Sequence, residues 1–326
     1  MQNKQVTLED IIHGGHKHVT RKEAFLNMMD EAVPWKDWLR VIEPFYPKGT
    51  RGRPPIGLEK LLRMYLLQIW FNLSDPATED AIYDSYAMRK FVGIDFMTES
   101  VPDETTLCKF RHLLEEHDLN QVFFDQLTRK LEEEGVMWKG GTIVDATIIA
   151  STSSTKNKKK ERDPEMHQTR KGNQWYHGMK CHAAVDAGTG LVHSATFTAA
   201  NVSDIVETHN LIRDEDEVVY GDAGYTGVQK RPEIVNDPHL SGIEYRIAEK
   251  IGKRRGLTGE ARKWADHEER RKSSVRSKVE HIFHIVKNIF GYRKTAYRGL
   301  HKNGNRLLGL LASANLYMLA NAGRTI

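Results

Sequence analysis

Two acidic residues lie inside apolar stretches, where a charge is costly, and a third lies at the border of an apolar helix face. Asp145 is enclosed by the β-branched run 141–149 (GTIVDATII), and the apolar run 217–225 (EVVYGDAGY) leads into Asp222. A carboxylate in an apolar strand destabilises the fold unless it is paired, hydrogen-bonded or bound to a metal. Together with Glu280, these residues form a set of hard oxygen ligands of the kind that Mg²⁺ and Mn²⁺ prefer.

Glu280 lies in residues 273–290 (SSVRSKVEHIFHIVKNIF), where apolar residues recur at helical spacing and predict a helix buried on one side. Arg276, Glu280 and Lys287 stand at i, i+4 and i+11, within about 40° of each other on a regular helix. A carboxylate flanked by two cations at the edge of a packed face is not needed for folding. Glu280 is either a metal ligand or a partner in a surface ion pair, and the spacing leaves both open.

Positive charge is concentrated around these candidates. The net charge is only +4, yet residues 246–278 hold 12 Lys/Arg against 5 acids and residues 155–171 hold 7 against 3. Such clusters indicate a polyanionic partner. The candidate phosphate contacts in the second cluster are Lys156, Lys158, Lys159 and Lys160. A solvated basic loop is the alternative.

Three aromatic residues, Trp175, Tyr176 and Trp264, lie in basic loops, the first two at the end of 151–176 and the third within 246–278. They could stack on unpaired bases. Packing within the core or a loop is the favoured interpretation for each.

Residues 1–135 are predicted to form a helical N-terminal DNA-binding domain, although residues 1–20 are polar and have no helical pattern. Helices are expected over 21–46, over the almost wholly apolar 58–71, up to about residue 92, and over 119–134. Asp103 is a good N-cap for a further helix that would direct Lys109 and Arg111 outward. This arrangement is compatible with a helix-turn-helix that contacts the major groove, and an ordinary helical hairpin is the alternative.

Residues 136–326 change to strand periodicity and are predicted to form an α/β domain. The expected elements are the Asp145 strand, a basic loop (151–176), a hairpin with its turn at 186–190, a helix (204–213), the Asp222 strand, a last strand (242–249), the Glu280 helix from about 273, and a final helix (304–322). Three antiparallel strands, a helix, two strands and a helix is the order of a ribonuclease-H-like fold.

Length and composition agree with a soluble two-domain protein. The chain has 326 residues, 39% hydrophobic and 28% charged. Cys108 and Cys181 have no metal or redox spacing, which predicts a reducing cytoplasm. The polar start predicts no secretory signal, and the longest apolar run, 307–320, is too short to span a bilayer.

Several segments in this order resemble a DDE transposase of bacterial insertion sequences, from the insertion-sequence-five group, over nearly the whole chain. They are WKDWLRVIEPFYP, NLSDPATEDAIYD, PDETTLCKFRHLLEEH, GTIVDATIIASTSSTKNKKKERDPEMHQTRKGNQWYHGMKCHAAVD, GDAGY and RSKVEHIFHIVK. The resemblance implies a catalytic triad of Asp145, Asp222 and Glu280 that binds two Mg²⁺ ions about 4 Å apart, with Mn²⁺ as a substitute. Asp145 would bridge both ions.

The family's signature around the glutamate is Tyr-x2-Arg-x3-Glu-x6-Lys. Arg276 and Lys287 match it, whereas Ser273 stands at the tyrosine position. The resemblance implies that Arg276 and Lys287 bind DNA phosphates beside the cleavage site. It also implies double-stranded DNA as the partner (terminal inverted repeats and a target), a homodimer or higher oligomer on that DNA, and a bacterial cytoplasmic location at the nucleoid.

Two other functions fit the same residues. One is a metal-dependent DNA nuclease of the same fold that only hydrolyses DNA. The other is an inactive, element-derived DNA-binding regulator, which the complete set of three acids disfavours.

Overall fold

The computed structural model describes residues 18–49 and 54–323. The chain divides into two compact units, residues 1–119 with 316–326, and residues 120–315. Within the described ranges, no helix is long and apolar enough to cross a membrane.

The first unit is helical, as the periodicity predicts. Its helices are α1 (Arg21–Ala32), α2 (Trp35–Ile42), α3 (Leu58–Trp70), α4 (Asp75–Asp84), α5 (Tyr86–Val92) and α6 (Glu104–Glu116), with a short 3₁₀ turn at Glu43–Phe45. Helix α3 buries nine of its 13 residues, which confirms the prediction of a buried helix over 58–71. Asp103 caps α6 by accepting a hydrogen bond from the Thr106 backbone N–H at 2.7 Å.

Two predicted helices of this unit are interrupted. The helix expected over 21–46 breaks at Val33, which is extended (φ −71°, ψ 128°) because Pro34 follows it. The helix ending at Val92 is broken at Ser85, also extended, whose side chain caps α5. Both breaks have a local cause that apolar periodicity does not reveal.

The second unit is built on a six-stranded mixed sheet. After α7 (Leu119–Glu133) its strands are β1 (Gly141–Ala150), β2 (His167–Lys171), β3 (Gln174–Asp186), β4 (Val192–Ala199), β5 (Val218–Gly221) and β6 (Glu244–Ile247). The order is β2-β3-β1-β5-β6, and β4 also pairs with β3. Strands β1, β3 and β4 are antiparallel, whereas β5 and β6 run parallel to β1. This topology confirms the predicted ribonuclease-H-like α/β fold.

The later helices of the chain are α8 (Pro232–Val235), α9 (Pro238–Gly242), α10 (Ile251–Arg254), α11 (Gly259–His284) with a π-helical turn at Ile285–Ile289, and α12 (Leu300–Asn321). Helix α11 lies on β1, β3 and β5 and buries Val279 and Ile282. Asn315 of α12 bonds both backbone groups of Val192 in β4, at 2.9 and 2.7 Å.

Three predicted elements differ in extent or type. Helix α11 begins at Gly259 and not near residue 273. The segment 259–272 lacks an apolar stripe, so its periodicity did not predict a helix. It is helical because it contains strong helix formers and the i, i+4 ion pair Arg262–Asp266. The helix expected over 204–213 is two single 3₁₀ turns, in which the side chains of Thr208 and His209 bond nearby carbonyls.

The loop expected over 151–176 ends in a β-hairpin. Strand β2 and the start of β3 pair from Lys171–Gln174 to His167–Gly178 around the two-residue turn Gly172–Asn173. Gly172 has φ +61°, as a tight primed hairpin turn requires. Polar residues in both strands concealed the hairpin, since neither strand has an alternating apolar face.

Candidate active site

Asp145 on β1 lies next to Asp222, the residue that follows the neighbouring parallel strand β5. The β1–β5 register pairs Ile143 with Tyr220. Asp145 and Asp222 each stand two residues further along, so the same register brings them together on one face of the sheet. Each carboxylate accepts one backbone N–H at 2.7 Å, Asp145 from Ala146 and Asp222 from Gly224.

This pair carries more negative charge than its surroundings balance. The pKa of the Asp145 carboxyl is raised to about 6, mainly by burial and in part by the negative charge of Asp222. The Ala146 N–H and the positive charges of Arg276 and Lys171 act in the opposite direction. A bound cation would restore the balance and keep Asp145 ionised.

Arg276 and Glu280 lie one turn apart on α11. The half-buried Arg276 lines, together with Asp222, a cleft of about 710 Å³. Glu280 is exposed, and its side chain has no hydrogen-bonding or ion-pair partner among the described residues. The surface ion pair with Arg276 is therefore not formed in this conformation.

Lys287 lies within the π-helical turn that follows α11. Its ammonium donates a hydrogen bond to the Ile148 carbonyl near the end of β1 at 2.7 Å, and burial lowers its pKa. The π turn alters the rotation per residue, so the angle that regular helical spacing predicts between Lys287 and Glu280 does not hold. One backbone acceptor leaves two of the three ammonium protons for other partners.

A divalent cation such as Mg²⁺ requires several oxygen donors close together. Across the described part of the chain, no three His, Cys, Asp or Glu side chains come close enough together to hold a metal ion. Asp145 and Asp222 supply two adjacent carboxylates with an uncompensated charge. Glu280 would complete the set only by turning inward from solvent. The residues fit a hard divalent ion in number and type.

A buried phenol lies close to this pair. Tyr225 is 1% exposed, and its hydroxyl has no hydrogen-bond partner among the described residues. Burial raises its pKa well above the usual value, and the charges of Asp145, Asp204 and Asp222 add to this. Tyr225 was not among the predicted site residues, because an aromatic residue that follows an apolar strand is normally interpreted as part of the hydrophobic core.

The four lysines of the basic loop lie at the same edge of the sheet as the acids. Lys156, Lys158, Lys159 and Lys160 are exposed in the segment that leaves the carboxyl end of β1 and enters β2. Asp222 follows the carboxyl end of the parallel strand β5. The four lysines therefore form a charged surface, whereas the end of the same segment packs through the buried Met166 and is tied down where Asp163 accepts the Gly299 N–H.

The prediction that Arg111 points outward is wrong, whereas Lys109 is exposed as predicted. The Arg111 side chain is buried between two carboxylates, Glu115 Oε1 at 2.9 Å and Asp75 Oδ2 at 3.1 Å. Arg111 and Glu115 lie one turn apart on the buried side of α6. Arg111 is thus a structural ion-pair partner and not a surface cation.

Two of the three aromatic residues in basic stretches are exposed. Trp175 is 65% exposed and Trp264 is 69% exposed, so the favoured packing interpretation is wrong for both. Tyr176 is half-buried, and its hydroxyl donates to Gln174 Oε1 at 2.8 Å.

Lys171 is a further residue that the sequence analysis missed. It is the exposed last residue of β2, and its positive charge lowers the pKa values of both Asp145 and Lys287. The missed signal was the Gly172–Asn173 dipeptide, a typical hairpin turn, between two segments that could pair.

Two family models match the chain. One, described as a transposase DDE domain, covers residues 139–316. The other, described as a transposase domain, covers residues 15–113. No solved structure matches the chain.

Proposed function

Because this chain belongs to the DDE-domain transposases, enzymes that cleave and transfer DNA, we propose that it binds the terminal inverted repeats of an insertion sequence, cuts the DNA ends and joins them to a target. The observation that carries this proposal is the placement of Asp145, on β1, beside Asp222, which directly follows the parallel strand β5. Two adjacent, half-buried acids of this kind destabilise a fold unless a cation balances their charge, and acids with perturbed pKa values cluster at functional sites.

Asp145, Asp222 and Glu280 would hold Mg²⁺, with Mn²⁺ as a substitute. When bound, divalent ions would activate the attacking water or 3′-hydroxyl and stabilise the negative charge on the leaving oxygen. Asp145 must lose its proton to act as a ligand, and its raised pKa of about 6 makes this loss complete only above that pH. Glu280 supports the assignment because it has no competing partner among the described residues.

Arg276 and Lys287 would bind DNA phosphates on either side of the acids. Arg276 lines the same cleft as Asp222, and a guanidinium suits bidentate contact with a phosphate. Lys287 adds a point charge near the end of β1. Neither forms an ion pair with an acid in the described ranges, so both remain available to a polyanion.

More distant DNA contacts would come from the basic loop and from the N-terminal helices. Lys156, Lys158, Lys159 and Lys160 would act through charge alone, and Lys109 would contribute to contacts by the helical region. Holding two ends together implies a homodimer or a higher oligomer on DNA. The proposed setting is the bacterial nucleoid.

The decisive variant is Glu280→Gln, which keeps the shape of the side chain and removes its charge. We expect cleavage and joining to fall together by at least about 100-fold while DNA binding survives, because one metal ligand is weakened. The assay is strand transfer by purified protein at saturating Mg²⁺, on duplexes that end in the inverted repeats flanking the coding sequence. Glu260→Gln, an exposed acid in the first turn of the same helix, is the matched control.

The same assay separates the alternatives. Joined product supports a transposase, hydrolysis without joining supports a nuclease, and binding without either supports an inactive regulator. Near-wild-type cleavage by Glu280→Gln would show that Glu280 is not a ligand.

A further inference from the structure

A short segment, residues 293–295, lies beside the carboxyl end of β1, where β5 has already ended. Ala150, the last residue of β1, forms a parallel bridge with Lys294. The Ala150 N–H donates to the Arg293 carbonyl at 3.1 Å, and the Ala150 carbonyl accepts the Thr295 N–H at 2.8 Å. Because β3 pairs with the other side of β1 and β5 pairs only with its first three residues, this segment takes the place of β5 beside the end of β1.

The register of this bridge places Arg293 on the face of the sheet that carries Asp145. Side chains alternate along a strand, and bridged residues share a face. Arg293, one residue before the bridge, therefore lies on the face opposite to that of Ala150, which is the face of Asp145. A side-chain bond agrees with this assignment. Thr295, on the same face as Arg293, donates to Ser151 Oγ at 3.1 Å, and Ser151 is separated from Asp145 by an even number of positions.

The same register gives the separation between Arg293 and the acids. Arg293 is level with Ile149, four residues past Asp145 on β1. At a rise of about 3.3 Å per residue, the two backbones are about 13 Å apart along the sheet. Lys287, whose ammonium bonds the Ile148 carbonyl, lies on the same edge. Arg293 is thus a second cation beside the carboxyl end of the strand that carries Asp145.

Two hydrogen bonds hold the Arg293 guanidinium in place. Its Nε donates to the Lys287 carbonyl at 3.0 Å, and Nη2 donates to Asn288 Oδ1. Both acceptors are uncharged, and no acid pairs with Arg293 in the ranges that the structure describes. Three of the five guanidinium N–H groups remain for a ligand. The side chain is exposed, so a ligand can reach these groups without a change in the fold.

The charges around Arg293 indicate an anionic ligand. Residues 287–302 include five Lys/Arg and no acid. The two acids that approach from the basic loop, Asp163 and Glu165, accept the backbone N–H groups of Gly299 and Leu300. Positive charge that the protein itself leaves unpaired attracts a polyanion. A phosphate suits Arg293, since the donors of a guanidinium match phosphate oxygens in pairs.

We propose that Arg293 binds a DNA phosphate about four nucleotides from the cleaved bond, and that Asn288 positions its guanidinium. The spacing follows from the separation of about 13 Å and the rise of about 3.4 Å per base pair. Lys294, on the opposite face, does not share this contact. This inference rests on the proposed function, since the position is counted from a bond that is cleaved at Asp145 and Asp222.

The contact is located by removing the charge of one phosphate at a time. Neutral methylphosphonates replace single phosphates up to about six nucleotides on each side of the repeat end, in both strands. The affinity of the full chain is measured with Ca²⁺ in place of Mg²⁺, so that no cutting is needed. We expect wild-type protein to lose about tenfold in affinity at one position, about four nucleotides from the repeat end. Arg293→Ala should bind unmodified DNA about tenfold more weakly and lose nothing further at that position.

Three further variants separate this contact from general charge. Arg293→Lys keeps the charge but not the paired donors, so it should recover only part of the loss. Asn288→Ala should reduce the effect of the methylphosphonate at the same position, because the guanidinium is no longer held. Lys294→Ala removes the neighbouring exposed cation from the opposite face and is the matched control. It should leave the tenfold effect at that position unchanged.

Each result has a definite meaning. The contact is overturned if wild-type protein shows no such position, if Arg293→Ala retains the full effect there, or if Lys294→Ala abolishes the effect equally. Misfolding does not imitate the expected result, since it weakens binding to all the DNAs alike and leaves the effect of position in the folded fraction. Absence of any cleavage by wild-type protein in Mg²⁺ contradicts the proposed function, whereas the scan in Ca²⁺, counted from the repeat end, still tests Arg293 by itself.

Discussion

At the scale of single residues, Asp145 is an acid that the metal-free fold holds at a cost. Its pKa of about 6 in the folded chain compares with about 3.9 for an unfolded aspartate. Between these values the unfolded chain releases a proton that the folded chain retains. The free energy of unfolding therefore falls as pH rises from about 4 to about 6. Above that range, the Asp145 carboxyl changes it little.

Asp145→Asn should stabilise the metal-free protein at neutral pH. An amide stays uncharged and its oxygen can still accept the Ala146 N–H, so we expect a gain on the order of 2 kcal/mol at pH 7.5 and almost none at pH 4. Urea unfolding in EDTA at the two pH values measures the gain. Asp214→Asn, at an exposed position, is the control. An equal gain at both pH values would assign the effect to packing and not to charge.

At the scale of elements, helix α6 contains two cations with opposite environments. Arg111→Ala would leave Glu115 and Asp75 without their buried partner, so we expect a loss of about 3 kcal/mol in the free energy of unfolding. Lys109→Ala should change it by less than about 0.5 kcal/mol. Urea unfolding compares the two. If Arg111→Ala is as stable as Lys109→Ala, the ion-pair cluster is not a stabilising feature.

The basic loop between β1 and β2 should act through charge alone. Replacing Lys156, Lys158, Lys159 and Lys160 with alanine should weaken binding to all DNA sequences alike. It should also lower the slope of log K against log salt by up to about 0.9 for each lysine that contacts a phosphate. Lys139→Ala, which removes a cation paired with Glu215 near the opposite end of β1, is the control. An unchanged slope would leave the loop as solvated surface.

At the scale of the whole molecule, recognition of specific ends is assigned to the helical N-terminal region. A fragment of residues 120–326 retains α7, which groups with the sheet-containing unit. We expect it to bind DNA through its basic surfaces yet lose its preference for terminal repeats. Competition binding against unrelated duplexes tests this, after circular dichroism has shown that the fragment folds. Undiminished preference would place the recognition surface in the fragment itself.

The sequence patterns predicted the elements and the types of residue at the site better than their mutual arrangement. Asp145 and Asp222 were identified because an acid within an apolar strand is conspicuous, and Val279 and Ile282 because their spacing is helical. The register that brings the two acids together depends on pairing between segments 77 residues apart, which no local pattern contains. Likewise, the inward turn of Arg111 depends on Asp75, a partner 36 residues away.

The π-helical turn at Ile285–Ile289 has a consequence for how relatives of this chain should be aligned. A π turn is equivalent to an α-helix that has gained one residue. A relative that lacks this extra residue could keep the same glutamate and lysine in its sequence, yet direct the lysine to a different side of the helix. Conversely, a relative with the lysine one position earlier could place its ammonium at the same carbonyl. In this helix, identical residues at aligned positions need not direct their side chains to the same place. A gap of one residue in the alignment is the expected sign that one relative has the π turn and the other lacks it.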